Sequence, residues 1–185
     1  MILDRARFAR TAVYSAAILA SAMSIAHAAG ATSAQVRRGE YLVTVMGCND
    51  CHTPGALIGN PDMKRYLAGA EVGFAMPGVG VFVPNNLTSD KDTGLGNWTA
   101  EQVATAITKG TRPDGRILAP IMPWMDFAHL TKSDALAMAV YLKSLPATAN
   151  KIPGPFGPNQ QPTTLVMTVV PGAIYMKLPK PPAGK

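Results

Sequence analysis

Cys48-Asn49-Asp50-Cys51-His52 is the pattern by which c-type haem is attached to a polypeptide. Each thiol adds to one vinyl group, and two intervening residues let the chain turn so that both sulfurs meet one porphyrin edge. The imidazole after the second cysteine then projects under the ring centre. A disulfide between neighbours this close would enclose too short a loop to stabilise much. A redox dithiol of thioredoxin type wants strand-helix-strand surroundings, whereas here helical patterning precedes the motif and a Gly/Pro-rich loop follows it. Half a zinc site needs a second Cys or His pair at ligand spacing, and none lies downstream. His52 is therefore expected on the iron, with Cys48 and Cys51 carrying the ring.

Upstream, residues 33–46 place Val36, Leu42, Val43 and Met46 near one helical face, and Gly47 ends that helix at the motif. A second helix starts at Thr99, where Gln102 completes a capping box, buries Val103, Ala106 and Ile107, and stops at Gly110. A third starts at Thr131 with Asp134 three residues on, carries Leu136, Met138, Val140, Tyr141, Leu142 and Leu145, and meets Pro146. The expected fold class is all-α, with three or more helices and long loops. Residues 53–98 hold only a short β-like run, Val79 to Val83, among glycines and prolines. A segment of that length without regular structure has to lean on something other than its own backbone, and a large buried ligand would serve.

The sixth position on the iron must be filled from downstream, by His129 or by one of Met63, Met76, Met122, Met125, Met138, Met167 and Met176. Met138 lies mid-helix and is most simply core. Met122 stands in Ala119-Pro120-Ile121-Met122-Pro123-Trp124, where flanking prolines stiffen an extended segment and hold a thioether with little freedom to lose. Met125 is its competitor, and His129 reads as a surface or capping imidazole. Trp98, Arg112 and Arg116 are candidates for the haem propionates, because indole and guanidinium N–H groups can satisfy half-buried carboxylates.

The chain has 185 residues, 48% hydrophobic and 15% charged, with a formal charge of +6. Residues 1–28 read as a signal peptide: Arg5, Arg7 and Arg10 precede the uncharged run from Thr11 to Ala26, and Ala26-His27-Ala28 suits cleavage after Ala28. That run is shorter than the roughly 20 residues a membrane span needs. Residues 29–150 form the expected folded domain and carry equal numbers of basic and acidic side chains, ten of each. Such a neutral body lacks the one-sided field that phosphate backbones require, which excludes nucleic acid as a partner. Residues 151–185 form a Pro-rich basic extension with four lysines and no acid. Its three candidate roles are wrapping the body, docking on a partner subunit, and peripheral contact with an anionic membrane surface. Asp90, Asp92 and Glu101 fall at three positions of a calcium loop, but Leu95 stands where that loop needs glycine, so calcium is not expected.

From about Arg38 to Asn150 the chain resembles class I c-type cytochromes. The likeness is to the cytochrome subunits that accept electrons from bacterial periplasmic or membrane-bound alcohol and aldehyde dehydrogenases and related molybdenum hydroxylases. It rests on Arg38-Gly39-Glu40-Tyr41-Leu42, on residues 86–98 (NLTSDKDTGLGNW), on Gly110-Thr111-Arg112-Pro113-Asp114-Gly115-Arg116, and on Met122-Pro123-Trp124. The resemblance implies the class I fold around one covalent haem, with the first and last helices crossing at Gly39 and Tyr141. It implies Met122 as axial ligand and a proline carbonyl, Pro84 being the nearest match, on the ligating imidazole's Nδ1 proton. Here Pro84-Asn85-Asn86-Leu87 carries one residue more than the usual Pro-Asn-Ile/Leu-Thr step. The implied function is that of a periplasmic monohaem electron carrier, not itself an enzyme, working between a dehydrogenase and a downstream cytochrome or oxidase of the respiratory chain. A haem enzyme or ligand sensor with an exchangeable sixth ligand is the competing class.

Overall fold

The computed structural model describes residues 31–179; the signal sequence read over residues 1–28, and Lys180 and Lys185 of the extension, lie outside the described residues. Among the described residues the helices are α1 (Ser33–Val45), α2 (Cys48–His52), α3 (Ala100–Lys109), α4 (Trp124–Phe127), α5 (Lys132–Ser144) and α6 (Gly172–Tyr175). The three long ones fall within a residue or so of where the apolar spacing and end signals put them.

The ends of α3 follow from local chemistry. Thr99 Oγ1 accepts from the Gln102 N–H at 3.1 Å while Gln102 Oε1 accepts from the Thr99 N–H at 2.8 Å, satisfying two donors that have no intrahelical partner. At the other end Gly110 takes φ +64°, which only glycine adopts without strain, and its missing side chain makes room for the Trp124 ring. One residue thus ends a helix and seats the indole that follows Met122-Pro123.

α1 and α5 cross where Gly39 lies against Ala137 and Tyr141; a Cβ at Gly39 would overlap the Ala137 carbonyl and stand 2.7 Å from Tyr141 Cβ. Leu42 and Val43 of α1, Val103 and Ile107 of α3, and Met138 and Leu142 of α5 close one apolar core with Leu67 and Leu95. Each such side chain removed from water contributes roughly 1.5–3 kcal/mol before conformational entropy is set against it.

The chain is not all-α. Val72–Met76 (β1), Gly80–Phe82 (β2) and Leu165–Met167 (β3) form a small sheet in the order β2-β1-β3. β1 and β2 are antiparallel with Phe74 opposite Phe82, and β1 and β3 are parallel with Val72 opposite Leu165. Pro77-Gly78 makes the hairpin turn, with Gly78 at φ +74°. The strands are three to five residues long. That is too few for alternation to show in sequence, and the pairing with β3 is a long-range contact that no local pattern encodes.

The extension is drawn onto this sheet. Besides β3, Phe156 exchanges two backbone hydrogen bonds with Val81, at 2.8 and 2.9 Å. Wrapping of the body, one of its three candidate roles, is thus visible in residues 153–167. Beyond them the side chains of Val169, Tyr175 and Met176 are exposed. No helix among the described residues is long and apolar enough to cross a membrane.

Candidate functional site

The short helix α2 begins at Gly47, whose left-handed backbone turns the chain out of α1, and ends at Thr53, which is extended. Both ends are pinned by hydrogen bonds. Asp50 N–H donates to the Gly47 carbonyl at 3.0 Å and Thr53 Oγ1 donates to Asn49 Oδ1 at 2.7 Å. The buried Thr53 hydroxyl also accepts from Leu67 N–H, and the His52 carbonyl accepts from Gly69 N–H at 2.7 Å. One turn of helix sets Cys48 and Cys51 three residues apart on the same side, with His52 directly after them.

Cys48, Cys51 and His52 line a cavity of ≈ 250 Å³. Met122 lines it as well, contributed by the loop between α3 and α4. Its backbone is held at both sides: Met122 N–H donates to the Ala119 carbonyl at 3.0 Å, and the Met122 carbonyl accepts from Trp124 N–H at 2.7 Å. Trp124 Nε1 donates to the Leu118 carbonyl at 3.3 Å, fixing the loop against Gly110. The rival thioethers separate by position. Met125 is 53% exposed and off the cavity, as are exposed Met63, Met167 and Met176, and His129 is exposed too. Met76, half-buried in β1, does not line the cavity. Met138 does reach its wall, but it is buried in the α1–α5 core.

His52 Nδ1 donates to the carbonyl of Asn85 at 2.7 Å. A carbonyl can only accept, so this bond puts the proton on Nδ1 and leaves the lone pair on Nε2. Burial lowers the imidazole's pKa, the Asn85 bond opposing it, which favours the neutral ring. The role expected for the Pro84 carbonyl thus belongs to its neighbour. Pro84 lines the cavity, but its carbonyl accepts from Ala70 N–H at 3.1 Å. In the Pro84-Asn85-Asn86-Leu87 step the acceptor is the residue after the proline.

The thiols have the opposite character to a redox pair. Burial, reinforced by Cys51 and Asp50, raises Cys48 to about 11, its own backbone hydrogen bond notwithstanding, and burial and Asp50 raise Cys51. Redox dithiols work through a depressed pKa that supplies thiolate. Both sulfurs here are pushed towards the thiol form and face an apolar cavity.

Trp98, Arg112 and Arg116 meet at the same cavity. The Arg112 guanidinium lies 5.1 Å from the Trp98 ring centroid, a cation–π contact, and 3.4 Å from Asp114, which also lies 3.9 Å from Arg116. Burial, then repulsion from Arg116, lowers the Arg112 pKa. Two guanidinium groups share one carboxylate, so the cavity rim has spare positive charge for an anion. The other walls are apolar: Phe74 and Phe82 from the sheet, Val103 and Ile107 from α3, Leu142 from α5. Pro153 and Pro155 of the extension complete it.

The sheet phenylalanines, the Asn85 carbonyl and the extension prolines were not anticipated from sequence. Pro77-Gly78 between two apolar runs is the hairpin signal that could have found the first. No local signal identifies the other two, because a backbone carbonyl has no residue type and the extension reaches the site only through long-range pairing.

An apolar cavity with paired thiols, an imidazole and a thioether at its walls and two guanidinium groups beside them fits a macrocycle bearing carboxylates. Similarity to known proteins agrees. The chain is 36% identical over 124 residues to the alcohol dehydrogenase (quinone) cytochrome c subunit of Gluconobacter oxydans, covering 67% of this chain and 24% of that protein. Its relatives include cytochrome subunits of dehydrogenases. The fructose dehydrogenase cytochrome subunit of Gluconobacter japonicus is 32% identical over 135 residues, covering 69% of this chain and 26% of that one. A diheme cytochrome c-type protein of Cereibacter sphaeroides is 30% identical over 112 residues, covering 60% and 36% respectively. The chain spans about a quarter of the length of the two dehydrogenase subunits. No family model matches it.

Proposed function

We propose that this chain is an exported electron-transfer cytochrome of the class I fold. Residues 1–28 direct it to the periplasm, residues 29–150 hold one haem c, and residues 153–167 of the extension 151–185 brace the haem domain. Cys48 and Cys51 would hold the haem by thioether bonds, and His52 Nε2 and Met122 Sδ would be the donors to its iron. The observation that carries this reading is the convergence of Cys48, Cys51, His52 and Met122 on one cavity, with His52 Nδ1 already engaged by Asn85. One Cys-x-x-Cys-His motif and two cysteines in the whole chain supply attachment for one such group.

A haem held there would supply a one-electron couple, and the His52 imidazole and Met122 thioether would leave its iron closed to substrate. The chain's own residues do the rest. The sheet phenylalanines with Val103, Ile107 and Leu142 exclude water, and low polarity together with a neutral thioether favours the reduced state. Arg112, Arg116 and Trp98 would hold its propionates at the rim. Asn85 orients His52. The relatives' names make a dehydrogenase the natural donor, with a downstream cytochrome or oxidase of the respiratory chain as acceptor.

Exposure of the reduced protein to carbon monoxide tests the reading against a ligand sensor or haem enzyme. The spectrum is expected to stay unchanged over seconds, whereas rapid formation of a carbon monoxide adduct would transfer the chain to the competing class.

A further inference from the structure

We infer that Asn86, together with Thr88, is a positioning residue for the axial imidazole, acting through the backbone carbonyl of Asn85; the inference rests on His52 being a haem ligand. Residues 83–87 belong to no helix or strand, so no ladder fixes the direction of the Asn85 carbonyl. A polar network takes its place. Asn86 is 1% exposed and Thr88 likewise, a rare depth for an amide and a hydroxyl. Asn86 Nδ2 donates to the Thr148 carbonyl at 2.7 Å and to Thr93 Oγ1 at 3.0 Å. Its Oδ1 accepts from Thr88 N–H at 2.9 Å and from Thr88 Oγ1 at 2.8 Å. Both amide donors and the acceptor are therefore used.

The network crosses the fold. Thr148 N–H donates back to Thr88 Oγ1 at 3.2 Å, and Asn150 Nδ2 donates to the Ala68 carbonyl at 2.8 Å. The loop is also held on either side of Asn85, by Ala70 N–H on the Pro84 carbonyl and by Leu87 N–H on the Leu67 carbonyl at 2.8 Å. The strand of chain that follows His52, residues 67–70, thus meets the loop that orients it and the segment that follows α5. A hydrophobic residue at 86 would fill the same space but could not fix the rotation of the Asn85–Asn86 peptide, whose carbonyl His52 uses. Four directional bonds from one amide do fix it.

The consequence lies in the strength of the His52 Nδ1–H bond. A firmly held acceptor draws the proton, makes the imidazole a stronger donor to iron and favours the oxidised state; a loosened one does the reverse. Replacing Asn86 by alanine, or Thr88 by valine, is expected to speed solvent exchange of the His52 Nδ1 proton in the reduced protein several-fold and to raise the midpoint potential. Thr88→Ser keeps the hydroxyl and is expected to retain the wild-type exchange and potential. Val43→Ala, a cavity in the core at a residue outside the Asn86–Thr88–Thr148 hydrogen bonds and off the cavity wall, controls for lost stability: its melting temperature falls while exchange and potential stay put. The Thr88 pair carries the test if Asn86→Ala does not accumulate. An unshifted potential in Asn86→Ala or Thr88→Val, or a potential that follows melting temperature through all variants including Val43→Ala, overturns the inference alone. A wild-type protein without haem overturns the functional reading beneath it.

Discussion

Met122→Ala is expected to abolish the thioether signature of the oxidised protein, the weak red-edge absorption band of a sulfur–iron bond, while Met125→Ala leaves it intact. The two residues are three apart in sequence, yet Met122 lines the cavity and Met125 is 53% exposed outside it. Alanine at 122 offers no lone pair, so water or an added ligand takes the position. The midpoint potential is expected to fall by on the order of 0.1 V, a fraction of the roughly 0.8 V over which axial ligands move haem potentials. The reduced variant is expected to bind carbon monoxide. Absorption spectra and a redox titration of the two variants, side by side, check this; loss of the band in Met125→Ala with retention in Met122→Ala would reassign the ligand.

Gly39→Val is expected to destabilise the protein by on the order of 3 kcal/mol or more, at the upper end of what overpacking a core costs. The obstruction at Gly39 is backbone, not the end of a movable side chain: a Cβ there would overlap the Ala137 carbonyl, with Tyr141 Cβ 2.7 Å away. α1 and α5 must separate to admit it, and that crossing holds Leu42, Val43, Met138 and Leu142 together. Because α1 leads directly into Gly47 and Cys48, displacement there also disturbs the attachment site. Thermal unfolding of the haem-loaded protein should show a melting temperature lower by roughly 6–12 °C. A change within 2 °C would mean that the helices do not cross as closely as described.

How much of this was legible in sequence depended on whether the information was local. Thr99 with Gln102, Gly110 and Thr131 are end signals read within four residues of themselves, and the long helices fall where they point. Cys48, Cys51 and His52 carry their chemistry in their spacing. Met122 was separable from Met125 by its flanking prolines, since stiffness is a local property. The sheet was not legible, because β3 contributes three residues and pairs with a strand far earlier in the chain. The Nδ1 acceptor is Asn85 and not the expected Pro84, because a backbone carbonyl has no residue type and its direction is set by tertiary contacts. Sequence named the thiols, imidazole and thioether that line the cavity; tertiary contacts chose the carbonyl bonded to the imidazole.

The central claim is that the two thiols of α2 are consumed in holding a haem. Intact-mass measurement of the purified exported protein, with thiol alkylation before and after proteolysis, tests it most directly. The account predicts a mass raised by one haem, retained after acid extraction, and a peptide spanning Cys48 to His52 that carries the added group and resists alkylation. A chain of unmodified mass whose Cys48 and Cys51 alkylate freely would contradict it.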